Sequence, residues 1–236
     1  MPTSFLGAAC VVLLMSCQLA GSDLATTVVS PAGLIPKAIP GAVELLLRTT
    51  KAAVNRSSAI SPAMKSFALE RLIPVLTNPA IVEAVWQQNA KKRSLADIQR
   101  DDVAWQQAQV QNPLQTAMLS NHCAQVVKAF VRDQPAVREC FVMDDQGANV
   151  GQNTLTSDYW QGDEDKWLRS FNNRTGGIDV GRLSFDKSAN ANLQQLSFPI
   201  IAPDGSVIGA ITFGIDLDRL EAAKETNQET NKEADK

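Results

Sequence analysis

The chain has 236 residues, 44% hydrophobic and 20% charged, with 22 Lys and Arg against 25 Asp and Glu for a net charge of −3. That length suits one domain with appendages or two small ones, and the charge balance leaves no basic footprint for nucleic acid. The only histidine is His122, which argues against a histidine-rich metal site and against a Ser-His-Asp centre unless His122 itself serves.

Residues 5–19 are apolar and short, too short to span a bilayer, and read as an N-terminal targeting signal over residues 1–22. Two endings are open. A small-residue cleavage falls near 20–22, or Leu14-Met15-Ser16-Cys17 serves as a lipobox, with Met15 departing from the usual residue and Cys17 lipidated. Either places the mature chain outside the cytoplasm, periplasmic or secreted. Cys123 and Cys140 remain, and in an oxidising compartment they are either bridged or two small buried thiols. Residues 23–40 carry Pro31, Pro36 and Pro40 and form a linker.

Residues 41–133 read as helical. Ser61-Pro62, Asn78-Pro79 and Asn112-Pro113 each pair a capping residue with a proline suited to the first helical position, and Ser94 with Asp97 resembles a capping box. Apolar residues recur at helical spacing between these marks. A long polar helix is expected over 87–111, its narrow stripe carried by Leu95, Ile98 and Trp105. Trp86, Trp105 and His122 read as structural.

From Pro135 the pattern turns to strands. Residues 139–144 (ECFVMD), the turn residues 145–148 and the run 149–153 predict a hairpin. Next comes TSDYWQGDEDKW, residues 156–167, the densest chemical cluster in the chain. It joins the only tyrosine, two tryptophans, four carboxylates and a lysine. Such aromatics beside polar groups suit a small-molecule pocket; they also suit a helix start with carboxylates at its N-terminus. A helix is expected over 163–172 and strands over 178–185, 193–201 and 207–217. In the last strand Ile211, Phe213 and Ile215 alternate with Ala210, Thr212, Gly214 and Asp216. One face therefore fills a core and the other leaves room, with Gln195 and Ser197 available to line the roomy side. Residues 221–236 form a polar tail.

With FVMDDQGANV, TSDYWQGDEDKW and GSVIGAITFGIDL in this order, residues 77–220 resemble the extracytoplasmic Cache domains, also called PDC sensor domains. The resemblance implies an α+β, PAS-like fold: a long N-terminal helical segment, including a helical region at 41–76, packed on an antiparallel sheet of about five strands. It implies a non-catalytic module that binds a small polar extracellular ligand, with no metal or cofactor. Carried over by position, the ligand residues are Tyr159, Trp160, Asp163, Lys166, Trp167 and Asp216. Asp163 is the carboxylate of the acidic run expected to face inward. The amino-acid-binding subset carries an arginine just before the helix aromatics. Lys166 precedes Trp167 here, with Arg174 and Arg182 as substitutes. Relatives drive membrane-bound kinases, cyclases or chemoreceptors, so this chain is expected to act through a membrane-bound signalling partner, with dimerisation along its N-terminal helix. The alternative is a protein-interaction module with a degenerate pocket, working through residues 87–111. An enzyme built on Asp163, Glu164 and Asp165 is disfavoured, because adjacent helical carboxylates point in different directions.

Overall fold

The computed structural model describes residues 35–186 and 191–223. The targeting signal, Cys17, most of the linker and the tail beyond 223 lie outside the described residues. Helix α1 is Ala42–Arg56, α2 Pro62–Phe67, α3 Pro79–Ala90, α4 Leu95–Gln106, α5 Pro113–Ser120 and α6 His122–Asp133. The caps read from sequence are in place. The side chains of Ser61, Asn78, Ser94 and Asn112 each accept a backbone N–H of the following helix, and Asn112 closes a capping box with Gln115. After α2 the chain runs through a π-helical turn, Ala68–Leu72, into a 3-10 turn, Ile73–Thr77. Pro74 accounts for the change, since it has no N–H to continue the ladder.

The long helix expected over 87–111 is instead two helices. Lys92 adopts a left-handed φ of 47° just beyond α3, and Ser94 caps α4 afresh. A capping residue with a favourable partner outweighs the continuing polar stripe.

Strand β1 is Val137–Met143, β2 Asn149–Gln152, β3 Asp179–Val180, β4 Ser184–Asp186, β5 Ala191–Ile201 and β6 Val207–Asp216; helix α7 is Asp165–Phe171. The strands form one antiparallel sheet in the order β2-β1-β6-β5-β3, with β4 also paired to β5. The α+β, PAS-like architecture expected from the sequence is therefore present. The β1–β2 hairpin turns at Gly147, whose φ of 84° suits glycine and whose α-carbon lies against Gly162 too closely for a side chain. The strand expected over 178–185 is split into β3 and β4.

One large core joins the helices to one sheet face. Val54, Met64, Leu72, Ile81, Val85 and Val127 from the helical side meet Val142, Leu196, Phe198, Ile211, Phe213 and Ile215. The 41–76 region thus shares the sheet's core. Cys123 and Cys140 sit in this core as free thiols. Burial pushes the Cys123 thiol up to about 12, and raises that of Cys140 too, so both act as small apolar side chains.

Candidate functional site

The second sheet face carries different chemistry. Register partners on adjacent strands share a face, so Gln152, Phe141, Thr212, Ser197 and Asp179 form one row across five strands. Gln195, Gly214 and Glu139 form the next row. Ser197 and Thr212 are fully buried and share a hydroxyl hydrogen bond of 2.9 Å. Asp179 is buried against Arg169 at 3.2 Å; burial raises its carboxyl and the guanidinium opposes the rise. Gln195 Nε2 donates to Glu139 Oε2 at 3.0 Å. Gly214 makes that meeting fit, because a Cβ there would lie 3.0 Å from the Cβ of Glu139. Beside this second row opens a cavity of about 240 Å³ lined by Glu139, Gly181, Arg182, Ser184, Phe185, Leu193 and Gln195.

Helix α7 lies over the first row. Trp167 packs on Phe141, Met143 and Ala210, stacks on Phe171 at 4.8 Å and donates its indole N–H to Asp144 O at 3.0 Å. Lys166 sits with its ammonium 5.4 Å from the Phe141 ring centre, 2.9 Å from Glu164 Oε2 and 3.1 Å from Gln161 Oε1. These two residues of the cluster therefore face the small-residue side of the sheet, as the alternation on β6 anticipates.

The other residues singled out go elsewhere. Tyr159 is turned away from the sheet, into a cluster with Ile98, Trp105, Met118 and Ala148. Its ring lies 5.7 Å from that of Trp105, and burial pushes its hydroxyl up to about 12. The loop is held there by Asp102, whose Oδ1 accepts the backbone N–H groups of Tyr159 at 2.7 Å and Trp160 at 3.0 Å. Trp160 donates its indole N–H to Gln146 O at 2.7 Å, tying the loop to the hairpin turn. Asp163 is exposed, contrary to the inward orientation expected, because it lies in the turn before α7 begins. The three adjacent carboxylates diverge: Glu164 pairs with Lys166 and Asp165 with Arg169.

Asp216 occupies the roomy face but at the end of β6. Its Oδ1 accepts Arg219 N at 3.1 Å and its Oδ2 lies 3.4 Å from Arg219 Nε, so it caps the helical residues that follow. It is six residues from Ala210, about 20 Å along the strand. Loop and last strand therefore do not meet as opposite walls at Asp216, and the carboxylate that lines a cavity on this face is Glu139. Its signal was present in the sequence: it shares strand parity with Phe141 and Met143. Arg182 lines the same cavity, whereas Arg174 is paired with Asp145 elsewhere.

A buried polar network adjoins the first row. Asn149 Nδ2 donates to Thr156 Oγ1 at 2.8 Å, and Thr156 Oγ1 lies 3.2 Å from Gln152 Oε1. Asn149 Oδ1 and Gln152 Nε2 are buried without a hydrogen-bond partner. Exchanging the Gln152 amide atoms would satisfy Thr156 differently but still leave one amide atom alone.

Among solved structures, the chain is similar to the sensor domain of the V. cholerae histidine kinase DctB, with a TM-score of 0.37 and 13% identity over 76% of this chain and 59% of that one. It is also similar to the ligand-binding domain of the Campylobacter jejuni chemoreceptor Tlp3 in complex with 4-methylisoleucine, with a TM-score of 0.36 and 12% identity over 76% and 62%. The extracellular domain of the putative histidine kinase vpHK1S-Z8 matches with a TM-score of 0.36 and 11% identity over 78% and 62%. The chain spans about three fifths of the length of these structures. No protein-family model matches the chain, and no curated protein matches it. Among the described residues no helix is long and apolar enough to cross a membrane.

Proposed function

We propose that this chain is an extracytoplasmic Cache-type sensor module that binds a small polar ligand bearing a cationic group and reports it through a partner protein. The observation that carries the proposal is the Glu139 cavity on the small-residue sheet face. There a carboxylate, the Gln195 amide, the Arg182 guanidinium and the Phe185 ring converge on about 240 Å³. A carboxylate and an aromatic face both attract a cation, and an arginine suits a carboxylate on the same molecule. The volume lies below the range typical of drug-sized ligands, so the ligand is small. Lys166 and Trp167, on α7, stand at the adjoining end of the face as further ligand residues. Tyr159 and Asp216, expected from the sequence to bind ligand, act in this reading as supports for the loop and the final helix.

A thermal-shift screen of amines, amino acids, organic acids and divalent metals tests the proposal. A ligand held at 100 times its dissociation constant adds about 2.7 kcal/mol of stability, and Glu139→Gln should remove that gain. If no compound shifts the wild-type protein, the reading fails.

The second reading, a protein-interaction module, is favoured by the apolar side chains that residues 95–110 leave exposed: Leu95, Val103 and Val110. Pull-down from envelope extracts separates the two, since a partner bound there should be retained by Glu139→Gln and lost by Val103→Asp.

A further inference from the structure

A second cavity, of about 420 Å³, lies at the opposite end of β1 from Glu139. Trp86, Asn89, Ala90, Lys92, Asp145, Arg174 and Ile208 line it. Four chain segments are fastened together around it. Asn89 Nδ2 donates to Ile208 O at 2.7 Å, and Asn89 Oδ1 accepts the Asp145 backbone N–H at 3.0 Å. The Asp145 carboxylate in turn holds Arg174.

Backbone strain is gathered at this groove. Among the described residues the non-glycine positions with positive φ are Lys92, Asn172, Asn173 and Arg174. Two of the four line the groove, and the other two lead directly into Arg174. Asparagine tolerates the left-handed region, but lysine and arginine do so at a cost. Position 92 is the residue after a helix C-cap, where glycine is the usual solution. A lysine there keeps a charge at the groove against the backbone's preference, and strained residues gather at ligand sites.

The charges are unbalanced as well. Asp145 engages one nitrogen of Arg174, leaving other N–H donors of the planar guanidinium. Lys92 has no ion-pair partner among the described residues. Two cations therefore face one carboxylate. Of the remaining walls, Asn89 is already bonded to Ile208 and Asp145, and Trp86, Ala90 and Ile208 are apolar, so a bare inorganic anion would leave them uncovered.

We propose that this groove is a second ligand site, selective for an aromatic carboxylate. The carboxylate meets the guanidinium of Arg174 and the ammonium of Lys92, and the ring lies against the Trp86 indole. The site is independent of the Glu139 cavity.

Calorimetric titration of the full chain with benzoate, with benzamide as the neutral control of the same shape, tests this. Saturable benzoate binding is expected at millimolar concentration, with benzamide at least about tenfold weaker. Lys92→Gly should weaken benzoate at least about tenfold while leaving the melting temperature unchanged or higher, because glycine is at ease at positive φ. Trp86→Leu should weaken it as well, and Glu139→Gln should leave it unchanged. The proposal is overturned if benzoate does not saturate, if benzamide binds as tightly, or if Lys92→Gly retains wild-type affinity.

Discussion

On β6 the residues Ile211, Phe213 and Ile215 face the helices, while Ala210, Thr212 and Gly214 face α7. All six are fully or almost fully buried, so burial alone does not tell the two faces apart. What differs is the material. On the helical side, branched and aromatic side chains interdigitate, and Phe213 touches both Phe130 and Phe198. On the α7 side, buried hydroxyls meet each other, a half-buried amide meets a carboxylate, and two amide atoms meet nothing. A sheet with two buried faces can thus assign stability to one and leave recognition to the other. The contrast is quantitative and can be broken at either face.

The largest effect is expected on the helical side. Phe213→Ala removes a fully buried ring from the centre of the core and should cost about 3–5 kcal/mol, read as a fall in the urea midpoint at unchanged slope. A loss below about 1 kcal/mol would place Phe213 outside the main core and undo the contrast.

The clasp between α4 and the aromatic loop comes next. Asp102 accepts two backbone N–H groups through one oxygen, and hydrogen bonds to a charged group contribute about 1.5–3 kcal/mol. Asp102→Ala should therefore cost about 2 kcal/mol and speed hydrogen exchange at the Tyr159 and Trp160 amides before the sheet opens. If those amides stay as protected as β1, the loop is held by Trp105 and Tyr159 packing alone.

These two cases show where the sequence speaks and where it does not. The hairpin, the two-faced last strand and the capped helices are legible because they rest on local chemistry: turn residues, strand parity and a cap beside a proline. The row Ser197–Thr212 follows directly from parity on β5 and β6. The orientation of the aromatic loop is not legible, because it depends on Asp102, a residue 57 positions away whose carboxylate looks like any other on a polar helix. Asp216 misleads for a related reason. Parity puts it on the roomy face correctly, but only the chain's turn into a helix at Leu217 reveals that its oxygens serve the Arg219 N–H. Glu139 has the right parity too, and only the pairing of β1 with β6 brings it beside Gly214.

A pH experiment sharpens the contrast at Asp144, which sits where both faces meet the hairpin turn. Its oxygens accept the N–H groups of Gln146 and Ala148 and the amide of Gln88. Burial nevertheless raises its carboxyl above the ordinary 3.8. A carboxyl whose folded value exceeds its unfolded value favours folding when protonated. Its stabilising contribution is full below about 3.8 and is lost as pH rises through the folded value. The stability difference between wild type and Asp144→Asn should therefore shift in favour of the variant from about pH 4 upward. Asp179, also raised by burial, is common to both proteins and cancels. A difference that stays flat with pH would mean that the three hydrogen bonds fully offset the desolvation.

The smallest effect is expected at Gln152, and it separates the two faces most cleanly. Gln152 is 0% exposed, as is Phe213, so a rule based on burial alone predicts a severe loss on replacement. The hydrogen-bond inventory predicts otherwise. One amide atom of Gln152 contacts Thr156 at 3.2 Å and the other has no partner. Replacing it with methionine of similar shape gives up one neutral hydrogen bond, worth about 1 kcal/mol, and also relieves an unpaired buried group that costs about 1–3 kcal/mol. Gln152→Met should thus match or exceed the wild-type melting temperature in the ligand-free protein. A marked loss of stability would mean that Gln152 is fully satisfied in the ligand-free fold, and that the α7 face is built for stability on the same terms as the helical one.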